Sequence, residues 1–265
     1  MTNRKKGTIS TTEVERILDL LYFKENWTIP SLRKHVIYST RFTYEYIQQN
    51  YGEGVIASRD GEHIAINARL YTKFGSSLIL YAKRHPSGDF SDIRVLDSLD
   101  RLASLNFNAE ETPLLDVDIG RVIKDLSFPN NEEDFDLSSI RGLEHVISQR
   151  AYRVPAEMEK FDVPTRILMI QNSVKIALAN SKIDPLYVRP MYSFETKEIQ
   201  FLVPLVLSGQ CTESVLVLRK IASGKWVVVT ILLLESALFN ARVIAPLTRL
   251  WVEGGHDVSL QNFKC

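Results

Sequence analysis

The chain has 265 residues, with 32 basic and 32 acidic side chains, a formal net charge of +0 and 45% apolar residues. That apolar fraction excludes a disordered chain, 12 Gly and 10 Pro exclude a collagenous or low-complexity polymer, and the charge balance excludes a uniformly basic nucleic-acid binder. The neutrality is uneven: residues 1–84 sum to +5, residues 85–140 to −9 and residues 141–265 to +4. An acidic middle is read first as a solvated, loop-rich insert, and alternatively as a segment that guards or mimics a polyanion site formed by the basic flanks.

Residues 1–10 read as a flexible basic tail. Arg4-Lys5-Lys6 would add salt-sensitive, sequence-blind phosphate affinity. The basic start has no apolar stretch after it, so no signal peptide is expected. Residues 11–85 read as a helix-helix-hairpin part. Thr11 suits an N-cap, and Val14, Ile17, Leu18 and Leu21 follow at helical spacing. Pro30 opens a second helix, whose broad apolar face runs from Leu32 to Ile47. Arg59-Asp60-Gly61 between Gly54–Ser58 and Glu62–Asn67 signals a hairpin, and the outline is that of a winged-helix-like module.

Residues 86–140 form the acidic loop-rich insert, with one helix expected over Ile93 to Leu105. Residues 141–265 read as an antiparallel sheet plus helices. Ser138 to Gln149 and Pro164 to Ser181 suit helices, the latter with Ile167, Ile170, Val174 and Leu178 on one side. Glu198–Leu207, Ser214–Lys220 and Lys225–Leu233 are rich in Val, Ile and Leu and predict a three-stranded meander. A helix follows over Glu235 to Ile244, ended by Pro246. The fold class is therefore α+β, with a helical-plus-hairpin front part packed on an antiparallel-sheet back part.

The longest apolar run, Trp226 to Leu234, is about half of the ~20 residues a membrane helix needs. Cys211 and Cys265 imply no disulfide framework, and Cys265 is misplaced for a prenylation box. A cytoplasmic, reducing location without a membrane partner is expected. No phosphate-binding glycine loop, dinucleotide turn or nucleophile elbow occurs. The five His (35, 63, 85, 145 and 256) show no metal-ligand spacing, and no cofactor follows from the sequence.

Several segments together resemble a bacterial family known only as domain of unknown function 3825. They are Glu25-Asn26-Trp27 with the Tyr38–Ile47 helix, Ile64 to Thr72, Leu143 to Ile147 with Arg153-Val154-Pro155, Ile199 to Leu205, and Thr230 to Ile244. The order and spacing of the segments carry the likeness, which runs from about residue 20 to 251. The resemblance implies no activity. It implies an RNA-linked role by association with RNA-binding modules. The chain departs from the family pattern at Ala68-Arg69, where Thr-Gly is usual, at Glu235, where an aspartate is usual, and at Leu238-Phe239, where Tyr-Asn is usual.

The polar residues that a packed core alone does not require are few. Arg242 and Asn240 stand beside a buried strand. Arg242 either braces helix to sheet with Glu235, or meets an anion through its guanidinium fork. His145 has the near-neutral pKa of a general acid/base, and Glu144 precedes it. Adjacent residues on a helix point about 100° apart, so the two cannot face one atom. Arg150 and Arg153 add positive charge, and Asn67 is either a turn-former or an amide ligand. The leading expectation is an RNA- or nucleotide-interacting protein that meets phosphate with Arg242 and Arg150 or Arg153, helped by Asn67 and Asn240. One alternative is a phosphodiester- or nucleotide-processing enzyme using His145 or Glu144. The other is a regulatory or structural partner of another protein, without catalysis.

Overall fold

A computed structural model describes residues 9–21, 28–52, 54–86, 90–96, 100–115, 135–136, 143, 147–148, 151–184, 187–207, 212 and 214–244. The chain divides into two compact units, residues 1–124 and 125–265. Both mix helices with sheet, as an α+β chain should.

The first unit begins with α1 (Thr11–Leu20). Its N-cap is Ser10 rather than Thr11: the Ser10 hydroxyl accepts the Glu13 N–H at 3.1 Å. Helix α2 (Ile29–Phe42) is capped by Thr28, with Pro30 in its first turn, where a missing N–H costs nothing. It runs through a π-helical turn, Thr43–Ile47, into the short α3 (Gln48–Tyr51). The expected hairpin is present as β1 (Val55–Ala57) and β2 (His63–Tyr71), paired antiparallel with Val55 opposite Ile66. It is only half of a sheet. Strands β3 (Ser77–Arg84) and β4 (Phe90–Leu96) extend it to four strands in the order β1-β2-β3-β4.

Strand β4 corrects the helix expected over Ile93–Leu105. Helix α4 covers only Asp100–Ser104. The alternation of buried Ile93 and Val95 with exposed Asp92 and Arg94 is a period-two signal that the acidic charge of the stretch obscured. The sheet is apolar on both faces. Ile64, Ile66, Leu78 and Leu80 pack with Val14 and Ile17 of α1 and Leu32 and Val36 of α2, while Ala65 and Ile79 pack with Leu102 of α4, Phe107 and Leu115.

In the second unit, helix α5 (Val163–Ile183) is capped by Asp162, whose carboxylate accepts the Thr165 N–H at 2.9 Å. The expected meander is β7 (Glu198–Leu205), β8 (Ser214–Lys220) and β9 (Trp226–Leu233). Two strands that the sequence did not announce flank it: β5 (Phe135–Asp136), parallel to β9, and β6 (Arg189–Ser193), antiparallel to β7. The order is β5-β9-β8-β7-β6. Helix α5 covers one face through Ile170, Val174 and Leu178 against Phe201, Val203, Leu216 and Leu218. Helix α6 (Leu234–Arg242) packs on the other face through Ala237 and Ala241, against Leu202, Val215 and Val217. Leu143 and Ile147 are buried in the α5-side core. The rest of the helix expected over Ser138–Gln149 lies mostly outside the described residues. No helix among the described residues is long and apolar enough to cross a membrane.

Candidate functional site

Glu144, His145 and Arg150 lie outside the described residues. The other residues singled out fall in different units: Asn67 in the first, and Arg153, Asn240 and Arg242 in the second.

Asn67 shapes its own strand. Its side-chain oxygen accepts the Arg69 N–H at 2.7 Å, and the β2–β3 register breaks between Asn67 and Tyr71. Such a bulge re-aims a side chain. Arg69 sits within it at φ 55, a left-handed conformation that non-glycine residues adopt at a cost of about 1 kcal/mol. Its Nη2 donates to the Thr43 hydroxyl at 2.6 Å, and its guanidinium lies 5.0 Å from the centre of the Phe42 ring. Burial lowers its pKa to about 9, so it remains cationic at neutral pH. Asn67, Arg69 and Thr43 thus tie the bulge of β2 to the π-helical turn after α2. Thr43 continues a buried polar line on α2: His35 and Ser39 precede it at steps of four, and the His35 Nε2 and Ser39 Oγ are 3.4 Å apart.

Arg153 clasps the second sheet. Its Nη1 donates to the Ile231 carbonyl at 2.8 Å and the Thr230 hydroxyl at 3.2 Å. Its own carbonyl accepts the Ser214 hydroxyl at 2.6 Å. Among the described residues β5 pairs with Trp226 and Val227 of β9, and Arg153 meets β9 further along, at Thr230 and Ile231. The Asn240 amide donates to the Ser236 carbonyl of its own helix at 2.8 Å. Arg242 ends α6, half-buried and engaged within the chain.

The group that stands out was not among the sequence candidates. Arg189 opens β6, the edge strand beyond β7, opposite Leu202. Directly opposed residues share a face, and Leu202 belongs to the face under α6. Met191, two residues on, packs against the same cluster. Arg189 therefore enters the apolar side that α6 covers, and it is only 4% exposed. Its Nε has no hydrogen-bond partner among the described residues. Desolvation lowers its pKa, and the charge of Asp184, which ends α5, offsets part of that. Arg219, two residues beyond Val217 on β8, has the Glu198 carboxylate at 3.8 Å. A strand of five residues containing Pro190 is too short to signal from sequence, although proline on an edge strand is ordinary. The Arg-Pro pair gave no other cue.

Among the described residues no group of three or more His, Cys, Asp or Glu could hold a metal ion. Chemically, the arrangement offers a planar cationic fork in an apolar setting, which suits a phosphate or carboxylate. No curated protein and no solved structure matches the chain. A family model matches residues 18–251, nearly the whole length that carries the two sheets and their helices, and on that match the chain belongs to the family described as a domain of unknown function (DUF3825).

Proposed function

We propose that this is an RNA- or nucleotide-interacting protein that recognises phosphate, with Arg189 as the anchor on the α6 side of the second sheet. The observation that carries the reading is Arg189, a residue 4% exposed whose Nε meets no acceptor among the described residues. A buried charge whose hydrogen bonds are incomplete costs several kcal/mol, and an arriving anion would recover much of that. Phosphate fits the fork in two-pronged fashion, as a lysine would not allow. The acceptor approaches by displacement of α6. That helix covers the cluster with Ala237 and Ala241 and with the partly buried Leu234 and Leu238, so the bound anion must offset the apolar contact given up when it moves. Arg242, at the end of the same helix, supplies a second cation. The association of the family with RNA-binding modules favours RNA or nucleotide phosphates over other anions.

The test is calorimetric titration of the full chain with inorganic phosphate, a nucleoside monophosphate, a nucleoside triphosphate and a 5′-phosphorylated oligoribonucleotide, at two salt concentrations. Phosphate-bearing compounds are expected to bind wild type, and at least tenfold more weakly to Arg189→Lys, which keeps the charge and removes the fork. Equal binding to both proteins, or no binding to wild type, defeats the reading. Turnover of any of these compounds would instead favour the processing enzyme with His145 or Glu144 as acid/base.

A further inference from the structure

Helix α5 carries apolar residues on two sides, and among the described residues only one of them packs into a core. Ile170, Val174, Ala177 and Leu178 face the core. On the opposite side Ile176 is 56% and Ile183 is 86% exposed, with Asn172 and Ala179 exposed between and before them. A helix that is apolar all round is ordinarily buried all round. The outer residues Asn172, Ile176, Ala179 and Ile183 are spaced four, three and four apart, the seam spacing of paired helices. Two isoleucines occupy one seam position, and Asn172 and Ala179 the other. Ala179 lets a second helix approach closely, and Asn172 is the kind of polar seam residue that fixes register. Lys175 and Lys182, also exposed, stand immediately before the two isoleucines, seven apart, where paired helices place their charge contacts.

We infer that the outer face of α5 docks an amphipathic helix of a partner protein, one that presents acidic residues beside its apolar seam. The charges choose this occupant over a second copy of the chain. Two α5 helices paired antiparallel would set lysine against lysine. Paired in parallel, they would set the lysines opposite Ser173 and Asn180, which offer no negative charge. Only a partner with glutamates or aspartates at the flanking positions meets both lysines with opposite charge. The seam from Asn172 to Ile183 spans about 17 Å, three turns of helix, so the contact is small and reversible. It is independent of any phosphate site.

The probe is a synthetic three-heptad helix with Ile and Leu in its seam and Glu in both flanking positions, whose like charges prevent it from pairing with itself. Its twin carries Lys instead of Glu. Fluorescence anisotropy against the full chain is expected to show saturable binding of the Glu helix at least tenfold tighter than its twin. Ile176→Asp, a change on an exposed site that leaves the circular dichroism and Tm near wild type, should weaken it at least tenfold. Lys175→Glu/Lys182→Glu should reverse the preference in favour of the Lys twin. The inference fails if neither helix binds, if both bind alike, or if the charge reversal leaves the preference unchanged. It also fails if sedimentation shows wild type to be a dimer that Ile176→Asp dissociates, because the face would then belong to a second copy.

Discussion

In each unit a strand arginine turns toward a helix, Arg69 in the first and Arg189 in the second, yet the two are treated differently. Arg69 is met by the Thr43 hydroxyl and the face of Phe42. Arg189 is also buried, but its Nε is left without an acceptor among the described residues. The first arrangement is self-sufficient: bulge, guanidinium and π-helical turn close on one another. The second holds a cation on the apolar α6 side, its Nε unmatched among the described residues and the charge of Asp184 offsetting part of its desolvation. Burial of an arginine therefore does not mark a site by itself. What separates a brace from an anchor is whether the chain supplies the acceptors.

The sharpest way to break that contrast is to remove each guanidinium and keep its bulk. Arg69→Met should destabilise the first unit by about 2–3 kcal/mol, since it leaves the buried Thr43 oxygen short of a donor and removes the stacked cation. Urea denaturation measures it. No loss there would mean that Arg69 is not a brace. A finer comparison follows from its φ of 55. Arg69→Gly should be about 1 kcal/mol more stable than Arg69→Ala, because glycine takes the left-handed conformation without steric cost. The resemblance to the family implies a glycine at this position. At this position the present chain accepts a backbone cost and has a side chain that reaches the turn after α2.

The second unit should respond with the opposite sign. Arg189→Met is expected to raise stability by about 1–2 kcal/mol in phosphate-free buffer, as replacement of a poorly paired buried charge by an apolar side chain commonly does. The same variant should lose any stabilisation that phosphate gives wild type. A drop in stability comparable to that of Arg69→Met would place the two arginines in one class and end the distinction.

The second unit was the more legible in sequence. The runs Glu198–Leu207, Ser214–Lys220 and Lys225–Leu233 became β7, β8 and β9 within two residues at each end, because long runs of branched apolar residues leave little choice of structure. The sheet edges were not legible. Strand β5 has two residues and β6 five, too few for periodicity to stand out. In the first unit β4 was hidden by its charge: Asp92 and Arg94 point outward from a strand whose alternate residues are buried. The candidate site suffered from the same blindness. Asn240 and Arg242 were legible as polar residues beside a long apolar run, and Arg153 as positive charge following Glu144. Arg189 belongs to a short edge strand, and its burial depends on the register that sets it opposite Leu202. That register, and the cover from a helix that follows β9, are not written in any local pattern. Asn67 was legible as a turn-former. Its partner Arg69 was not, since a bulge depends on the neighbouring strand.

The smallest effect contrasts the caps of two helices, one in each unit. Ser10 caps α1 with a hydroxyl, and Asp162 caps α5 with a carboxylate. The hydroxyl does not titrate. The carboxylate does, and its hydrogen bonds from Thr165, side chain and backbone, hold its pKa below the ordinary value, aided by the charge of Arg166. A carboxylate with a lowered folded-state pKa contributes stability that is complete above its unfolded value of about 3.9 and lost as pH falls through the folded one. Asp162→Asn keeps a capping oxygen that cannot be protonated. Above about pH 5 the two proteins should therefore protect the first-turn amides of α5 almost equally in hydrogen exchange. Below about pH 4 wild type should lose protection faster than Asp162→Asn, while the first-turn amides of α1 behave alike in both. Other carboxylates titrate in the same range, but they do so in both proteins, so the difference between them isolates the cap. Parallel loss at α5 in the two proteins would show that the Asp162 charge adds nothing to the cap beyond its shape.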